Sequence, residues 1–415
     1  MKILNAREER AAFIGALSRK GAVIAGTANI PGPDKNTGAA RFIVDYFGKL
    51  CAERFPKGRV TNRESADGPF FIIEIAPGAR LKEELVKIEN GHPLGRLVDL
   101  DLYIAGKPVS RRDLGLRPRA CLLCPREAAL CARSRAHDYR DISEKISETV
   151  FSFLKTAVAE NIDFAITTEA SLDPKFGLVT PSSSGSHPDM DYQLMMKAKE
   201  AIIEPLLEIF ASGYYREAGE ALTAARAAGL RAEETMYEAT GGVNAYKGLI
   251  FILGFVLLAL GSCFREFSFD LFEKIKYFGA DLLSEFTDTA TFGKLAYRRY
   301  GITGARGEAR SGLPNVVKVL PLLRDYSPAS LTEALAFLIA NCDDTVLLKR
   351  AGGLREYLRY RRMFANFGSY DPEKARALTD YCVSRNLSFG GAADLLVAAL
   401  FIKKTEEKFK YCYER

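Results

Sequence analysis

The run Cys121-Leu-Leu-Cys124-Pro-Arg-Glu-Ala-Ala-Leu-Cys131-Ala-Arg-Ser-Arg-Ala-His137 constrains this chain more than any other stretch. It holds three of the eight cysteines and one of the three histidines. Ahead of it, short strand-like and helix-like segments alternate; beyond it the pattern is helical almost throughout. The region around it is also the most basic. Arg111, Arg112, Arg117, Arg119, Arg126, Arg133, Arg135 and Arg140 face only Asp113, Glu127 and Asp138. The net charge of +6 says little by itself, but a local guanidinium cluster suits phosphates or an acidic partner. Cys121, Cys124, Cys131 and His137 have ligand types and spacing compatible with a tetrahedral structural zinc. The intervals match no common zinc module, so a cluster of reduced thiols is the alternative.

At 415 residues the chain exceeds one ordinary core, which predicts two or more domains. A composition shift near Asp141–Ser143 divides it into an α+β part, 1–142, and an all-α part, 143–415. The first residues have no apolar core of signal-peptide length. The longest apolar run, Leu249 to Cys263, is shorter than the roughly 20 residues of a membrane helix and predicts a buried core helix. The chain is therefore expected to be cytoplasmic, with reduced thiols.

Within the first part, helices are expected over 6–19, 37–55 (capped by Thr37) and 81–89, with strands over 21–30 and 70–76. Pro31-Gly32-Pro33-Asp34-Lys35-Asn36 forces a turn. From Val98 to Tyr103 alternation is strict: Val98, Leu100 and Leu102 point one way, Asp99 and Asp101 the other. Two carboxylates on one face repel unless a cation lies between them. A divalent metal on a nucleotide phosphate would satisfy both; a solvated edge strand is the plainer account.

Three stretches of this part, Ile30-Pro-Gly-Pro-Asp-Lys35, Gly91-His-Pro-Leu-Gly-Arg-Leu-Val-Asp-Leu-Asp101 and Ser110-Arg-Arg-Asp through His137, resemble the apo-citrate lyase phosphoribosyl-dephospho-CoA transferases. The likeness covers nearly all of 1–140. It implies a nucleotidyltransferase-like domain that attaches phosphoribosyl-dephospho-CoA to a serine of the lyase's acyl carrier (gamma) subunit and releases pyrophosphate. On this resemblance Asp99 and Asp101 hold Mg2+, while Lys35, His92, Arg96, Arg111 and Arg112 take substrate and phosphate.

The second part predicts helices at about 142–171, 189–211, 215–228, 232–239, 246–265, 269–285, 291–300, 314–324, 328–341, 353–367, 371–385 and 391–402. Polar segments between them are the candidate sites. Gly185-Ser-His187-Pro-Asp189-Met-Asp191 leads into a helix; its acids serve as helix-starting residues or, with His187, as a magnesium site. Gly241-Gly242-Val-Asn244-Ala-Tyr-Lys247-Gly248 offers close backbone approach, free N–H groups and a point charge, though simple helix packing through glycine explains it too. Gly304-Ala-Arg306-Gly-Glu308, Asp343-Asp344-Thr345 with Arg350, and Gly390-Gly391 with Ala393-Asp394 follow.

Taken together these motifs resemble the triphosphoribosyl-dephospho-CoA synthases over 145–405. The resemblance implies that the 2′-hydroxyl of 3′-dephospho-CoA attacks the ribose carbon of ATP, with loss of adenine. It makes Asp189, Glu308 and Asp344 the candidates for metal or base work. Lys247, Arg306 and Arg350, with His187, Gly241, Gly242 and Asn244, would bind phosphate. The chain departs from that family's usual wording at Phe176, Thr180, Pro188, Ala245, Tyr246 and Val346. The expected whole is thus a bifunctional transferase working on ATP, dephospho-CoA and the carrier protein, with no nucleic acid and no membrane. Its alternatives are a transferase with an inert helical scaffold, or a zinc-knuckle RNA-binding protein.

Overall fold

A computed structural model describes residues 2–78, 80–284, 291–411 and 413–414. It contains two compact units, one of residues 1–154 with 264–267 and one of residues 155–263 with 268–415. The change of unit falls later than the composition shift near 142, because one helix, Tyr139–Ala170, carries the chain from the first unit into the second.

The first unit is built on five strands: β1 (Ala22–Ala28), β2 (Arg59–Ser65), β3 (Gly68–Ile75), β4 (Val98–Ile104) and β5 (Lys107–Val109). They form one antiparallel sheet in the order β2-β3-β1-β4-β5. Apolar β1 and β3 lie at its centre, where both faces are covered. Polar β2 (Arg-Val-Thr-Asn-Arg-Glu-Ser) forms an edge, and its lack of apolar alternation hid it from the sequence. The helices are α1 (Lys2–Leu17), α2 (Gly38–Arg54), α3 (Leu81–Gly91) and α4 (Ala128–Ser134). Ile14 of α1 packs on Val23, Ala25, Phe70 and Ile72 of the sheet. Thr37 caps α2 as expected, accepting from the Ala40 N–H at 3.2 Å.

Helix α5 (Tyr139–Ala170) opens the second unit. It is followed by α6 (Tyr192–Tyr215), α7 (Ala218–Thr240), α8 (Lys247–Glu266), α9 (Leu271–Phe278), α10 (Phe292–Tyr300), α11 (Gly304–Arg310) and α12 (Pro314–Val319). The remainder are α13 (Pro328–Asn341), α14 (Thr345–Ala351), α15 (Leu354–Ala365), α16 (Pro372–Ser384) and α17 (Gly390–Phe409). The two helices expected at 215–228 and 232–239 are the single α7, which runs through Gly229 without a break. The helix expected at 269–285 is the shorter α9, which ends at Phe278 and is followed by turns over 279–284; residue 285 lies outside the described residues. Helices α11 and α14, each seven residues, are too short to show a period.

Helix α8 is 20 residues long and apolar enough by length and composition to cross a membrane. In the fold 78% of its apolar window is buried. Leu249, Leu253, Val256, Leu257 and Leu260 are each at most 1% exposed, so this is the core helix that the sequence predicts.

Candidate functional site

Each unit presents its own constellation. In the first, β4 alternates as expected: Val98, Leu100 and Leu102 are buried, and Asp99 and Asp101 share the opposite face. Behind them is a charged network that the sequence did not reveal. Glu89 of α3, 4% exposed, accepts the Leu100 N–H at 2.8 Å and binds both Arg111, at 2.8 Å, and Arg119. Arg119 also reaches Asp99 at 2.7 Å and the Val98 carbonyl at 2.7 Å. Buried Lys82 donates to the Leu100 carbonyl at 2.8 Å. Arg96 donates to the Ala120 carbonyl. Asp101 is exposed to solvent and has no hydrogen-bond partner among the described residues. The protein mass around it still pushes its carboxyl up, with Asp99 adding to the effect and Lys82 opposing it.

Two residues assigned to phosphate are used otherwise. His92 packs among Tyr46, Phe47 and Phe153, with ring centroids 5.0–5.3 Å apart. Its Nδ1 accepts the Leu94 N–H at 3.0 Å, so Nε2 carries the proton toward the Tyr46 hydroxyl at 3.3 Å. Its partial burial lowers its basicity, which makes it a neutral, half-buried histidine packed among aromatic rings. Lys35 donates to the Ile30 carbonyl at 2.5 Å, and burial lowers its pKa. Arg112 is exposed.

The Cys/His series does converge. One ligand atom from each of Cys121, Cys124, Cys131 and His137 lies within 4.8 Å of all the others. The Cys124 and Cys131 sulfurs are 3.5 Å apart. His137 Nε2 is buried without a hydrogen-bond partner among the described residues, an orphan that a metal ion would satisfy. Arg126 holds the Cys124 thiol down to about 6, while burial pushes Cys131 up to about 11. The backbone here is tied down by hydrogen bonds from Cys121 N–H to the Arg126 carbonyl (2.7 Å) and from Ala128 N–H to the Arg119 carbonyl (2.9 Å).

In the second unit one cavity of about 870 Å3 gathers His187, Asp189, Asn244, Lys247 and Arg350 of the expected set, together with Glu169, Lys175, Tyr246, Asp343, Lys349 and Asp394. Asn244 caps α8 by accepting the Lys247 N–H at 3.1 Å. Lys247 pairs with Glu233 at 2.6 Å. Arg350 donates to the Ser186 carbonyl at 2.8 Å and to His187 Nδ1 at 3.4 Å, and His187 Nε2 is 2.8 Å from the Ser388 hydroxyl. Burial and then Arg350 lower the His187 pKa, so the imidazole is neutral. Asp191 caps α6, accepting the Leu194 N–H at 2.8 Å, while Asp189 stays exposed at the cavity.

Other expected residues are not brought to this cavity. Gly241 and Gly242, with φ of 65° and 92°, terminate α7; the Gly242 N–H reaches back to the Tyr237 carbonyl at 2.8 Å. Arg306 lines a separate, mainly apolar recess, its guanidinium 5.4 Å from the Phe251 ring centroid. Glu308 is 6% exposed and accepts from the backbone and side-chain N–H groups of Asn315. Burial raises its carboxyl; it joins α11 to α12 and is not among the residues lining this cavity. Asp344 is buried as a double cap. Its Oδ1 accepts from Val346 (2.8 Å) and Leu347 (2.9 Å) at the start of α14, and its Oδ2 accepts from Ala392 (3.1 Å) at the start of α17.

Comparison with known proteins matches these two units. Residues 155–413 match the family CitG, ATP:dephospho-CoA triphosphoribosyl transferase. Residues 1–153 match the family CitX, apo-citrate lyase phosphoribosyl-dephospho-CoA transferase. Protein CitXG of Leuconostoc mesenteroides subsp. cremoris is 30% identical, covering 97% of this chain and 96% of that protein. The chain belongs to the CitXG family. Protein CitXG of Haemophilus influenzae is 31% identical over 81% of this chain and 79% of its own length. The 2-(5''-triphosphoribosyl)-3'-dephosphocoenzyme-A synthase of Haemophilus ducreyi is 31% identical over 67% of this chain and 98% of its own. Like its family, the chain is an enzyme, with two transferase units in one polypeptide.

Proposed function

We propose that the helical unit forms 2′-(5″-triphosphoribosyl)-3′-dephospho-CoA from ATP and 3′-dephospho-CoA with loss of adenine. The α+β unit then transfers phosphoribosyl-dephospho-CoA to a serine of the apo-citrate lyase acyl carrier subunit, with loss of pyrophosphate. The observation that carries this is the cavity of about 870 Å3, which places Lys247, Lys349 and Arg350 around one space with several carboxyls. Its volume is at the upper end of ordinary ligand sites, as a two-substrate reaction on nucleotides requires. The cations suit a triphosphate, and the carboxyls suit a hydroxyl nucleophile and a positively charged ribose centre.

In the α+β unit, which we take to be nucleotidyltransferase-like, Asp99 and Asp101 fit Mg2+. Asp101 has no hydrogen-bond partner among the described residues, and a cation between it and Asp99 on the same strand face would balance both carboxylates. Bound there, the ion would neutralise triphosphate charge. Arg119, braced by Glu89, holds Asp99 in place, and Asp99 with Asp101 would hold the ion. Zinc fits the Cys121, Cys124, Cys131 and His137 set, where it would lock the segment that carries Arg119 and the Ala120 contact of Arg96. Exposed Arg117, Arg126, Arg133 and Arg135 beside it suit an acidic carrier protein. Both activities belong to the cytoplasm, where their nucleotide substrates are.

The test is incubation of the whole chain with ATP, Mg2+ and dephospho-CoA, followed by addition of apo carrier protein. Free adenine and a triphosphoribosyl adduct by mass are expected first, then a carrier heavier by one phosphoribosyl-dephospho-CoA. Absence of adenine refutes the synthase half; a carrier left unmodified by authentic donor refutes the transferase half.

A further inference from the structure

The cavity of the helical unit contains an acid that the motifs did not single out for chemistry. Helix α17 begins at the cavity wall, and Asp394 on its second turn faces the space. The other inward acids are engaged. Glu169 pairs with Lys175 at 3.1 Å, both at most 3% exposed in their side chains. Asp343 accepts from the Thr303 N–H at 3.0 Å and hydroxyl at 3.1 Å. Asp344, next to the lining, is used up as a cap. Asp189 is free but exposed. Asp394 alone faces the interior of the cavity with no hydrogen bond or ion pair among the described residues.

Two further observations point to a ligand there. Tyr246 lines the same cavity, is 4% exposed, and its hydroxyl is buried with no hydrogen-bond partner among the described residues. It lies within electrostatic reach of Asp394 and Glu169. The first turn of α8 also crosses directly over the Asp394 carboxylate. A Cβ on Gly248 would stand 2.1 Å from Asp394 Oδ2, so the carboxylate keeps its place only because residue 248 has no side chain. A polar group buried as deeply as the Tyr246 hydroxyl is rarely left unpartnered where no ligand completes it, and the half-buried Asp394 carboxylate stands at the same space.

We propose that Asp394 is the general base of the helical unit and that the Tyr246 hydroxyl orients the attacking alcohol toward it. The inference rests on the glycosyl-transfer reading above. In the step, the 2′-oxygen of dephospho-CoA bonds to C1′ of the ATP ribose while the C1′–N9 bond breaks, and its electron pair leaves on adenine. The alcohol proton passes to an Asp394 oxygen. Adenine takes up one proton on leaving as the neutral base, so Asp394 returns to its ionised form with the proton count unchanged. Burial raises the Asp394 carboxyl well above the usual range, and Asp344 and Glu169 raise it further. A base is most useful when its pKa is near the working pH.

The test compares the whole chain with Asp394→Asn and Tyr246→Phe, following adenine release against pH together with thermal unfolding. Wild-type turnover is expected to rise with pH through one ionisation above the ordinary carboxylate range. Glu169, Asp344 and Tyr246 are the other titratable groups facing Asp394, and Lys175 neutralises Glu169. D394N should lose that limb and between about a hundred- and ten-thousandfold in kcat, with the KM for ATP unchanged. Y246F should slow the reaction about tenfold, the effect of one hydrogen bond, and keep the limb. The ionised carboxylate is uncompensated, so D394N should also unfold at a higher temperature. That gain should be absent below the ordinary carboxylate range, grow as pH rises, and level off above the raised pKa.

A D394N enzyme that keeps a tenth of the wild-type rate, or one that is inactive because it unfolds earlier, overturns the proposal while leaving the synthase reading in place. A wild-type chain that releases no adenine removes the reading and the proposal together.

Discussion

Replacing Asp344 separates a structural carboxylate from a chemical one. Its two oxygens accept from the N–H groups of Val346, Leu347 and Ala392, so a single side chain starts both α14 and α17. Asp344→Ala leaves all three without an acceptor. Val346 is 38% exposed, and water can serve its N–H. Leu347 and Ala392 are buried, and each stranded donor costs about 1–3 kcal/mol. Burial raises the Asp344 carboxyl, so removing it also relieves a desolvation cost, which brings the expected net loss to about 2–4 kcal/mol. For a unit of this size that is a fall in unfolding temperature of roughly 5–15 °C. Asp344→Asn keeps an oxygen for α14 but turns an amide donor toward the Ala392 N–H, and should lose about half as much. Scanning calorimetry of the whole chain reads the shift, and adenine release below the unfolding range reads the chemistry. D344N should stay within about tenfold of wild type, far from the loss expected of a missing general base. An unchanged melting temperature for D344A, with both variants inactive, would refute the capping argument and return Asp344 to the reaction.

Two other outcomes follow from buried groups. The chain prepared without chelator should contain one equivalent of zinc by elemental analysis, lost in Cys131→Ser and His137→Ala. Chelation should lower the melting temperature of the first unit by roughly 20 °C or more, because such sites contribute binding energies of about 10 kcal/mol or more; a metal-free chain of equal stability would leave only a thiol cluster. In the helical unit, Lys175→Met strands the Glu169 carboxylate and should cost about 3–5 kcal/mol in urea unfolding, most of which the double variant with Glu169→Leu recovers. Equal losses in the single and double variants would show that the pair is not coupled.

How far the sequence could be read depended on whether a residue's role is local. The period-2 alternation of Val98–Tyr103 was visible and correct, as was the Thr37 cap, because strand faces and N-caps are set by neighbours in the chain. The Cys/His series converged because its four members span few residues around one short helix. Edge strand β2 and helices α11 and α14 had too little apolar pattern or length to be seen. His92 misled for a related reason. A histidine beside an acidic strand suggests phosphate chemistry, but Tyr46, Phe47 and Phe153, the rings it packs among, come from α2 and α5.

The helical unit shows the same division more sharply. Its polar motifs mark the ends of helices, and a helix end needs caps and terminators whether or not a substrate is near. Gly241, Gly242, Asn244, Glu308 and Asp344 all have a structural use of this kind. Motif position alone could not tell that use from catalysis, because Asp, Asn and Gly are the residue types of both. What distinguishes them is satisfaction. A capping carboxylate has its acceptors filled by backbone N–H groups, whereas a carboxylate kept for a substrate is left unfilled beside open space. By that criterion Asp344, 1% exposed and fully capped, and Asp394, half-buried beside the cavity, have opposite roles. The glycine that a Cβ would drive into Asp394 Oδ2 belongs to a helix start far away in sequence. Residue 248 therefore carried chemical information as Gly248 only once α8 and α17 had been placed side by side.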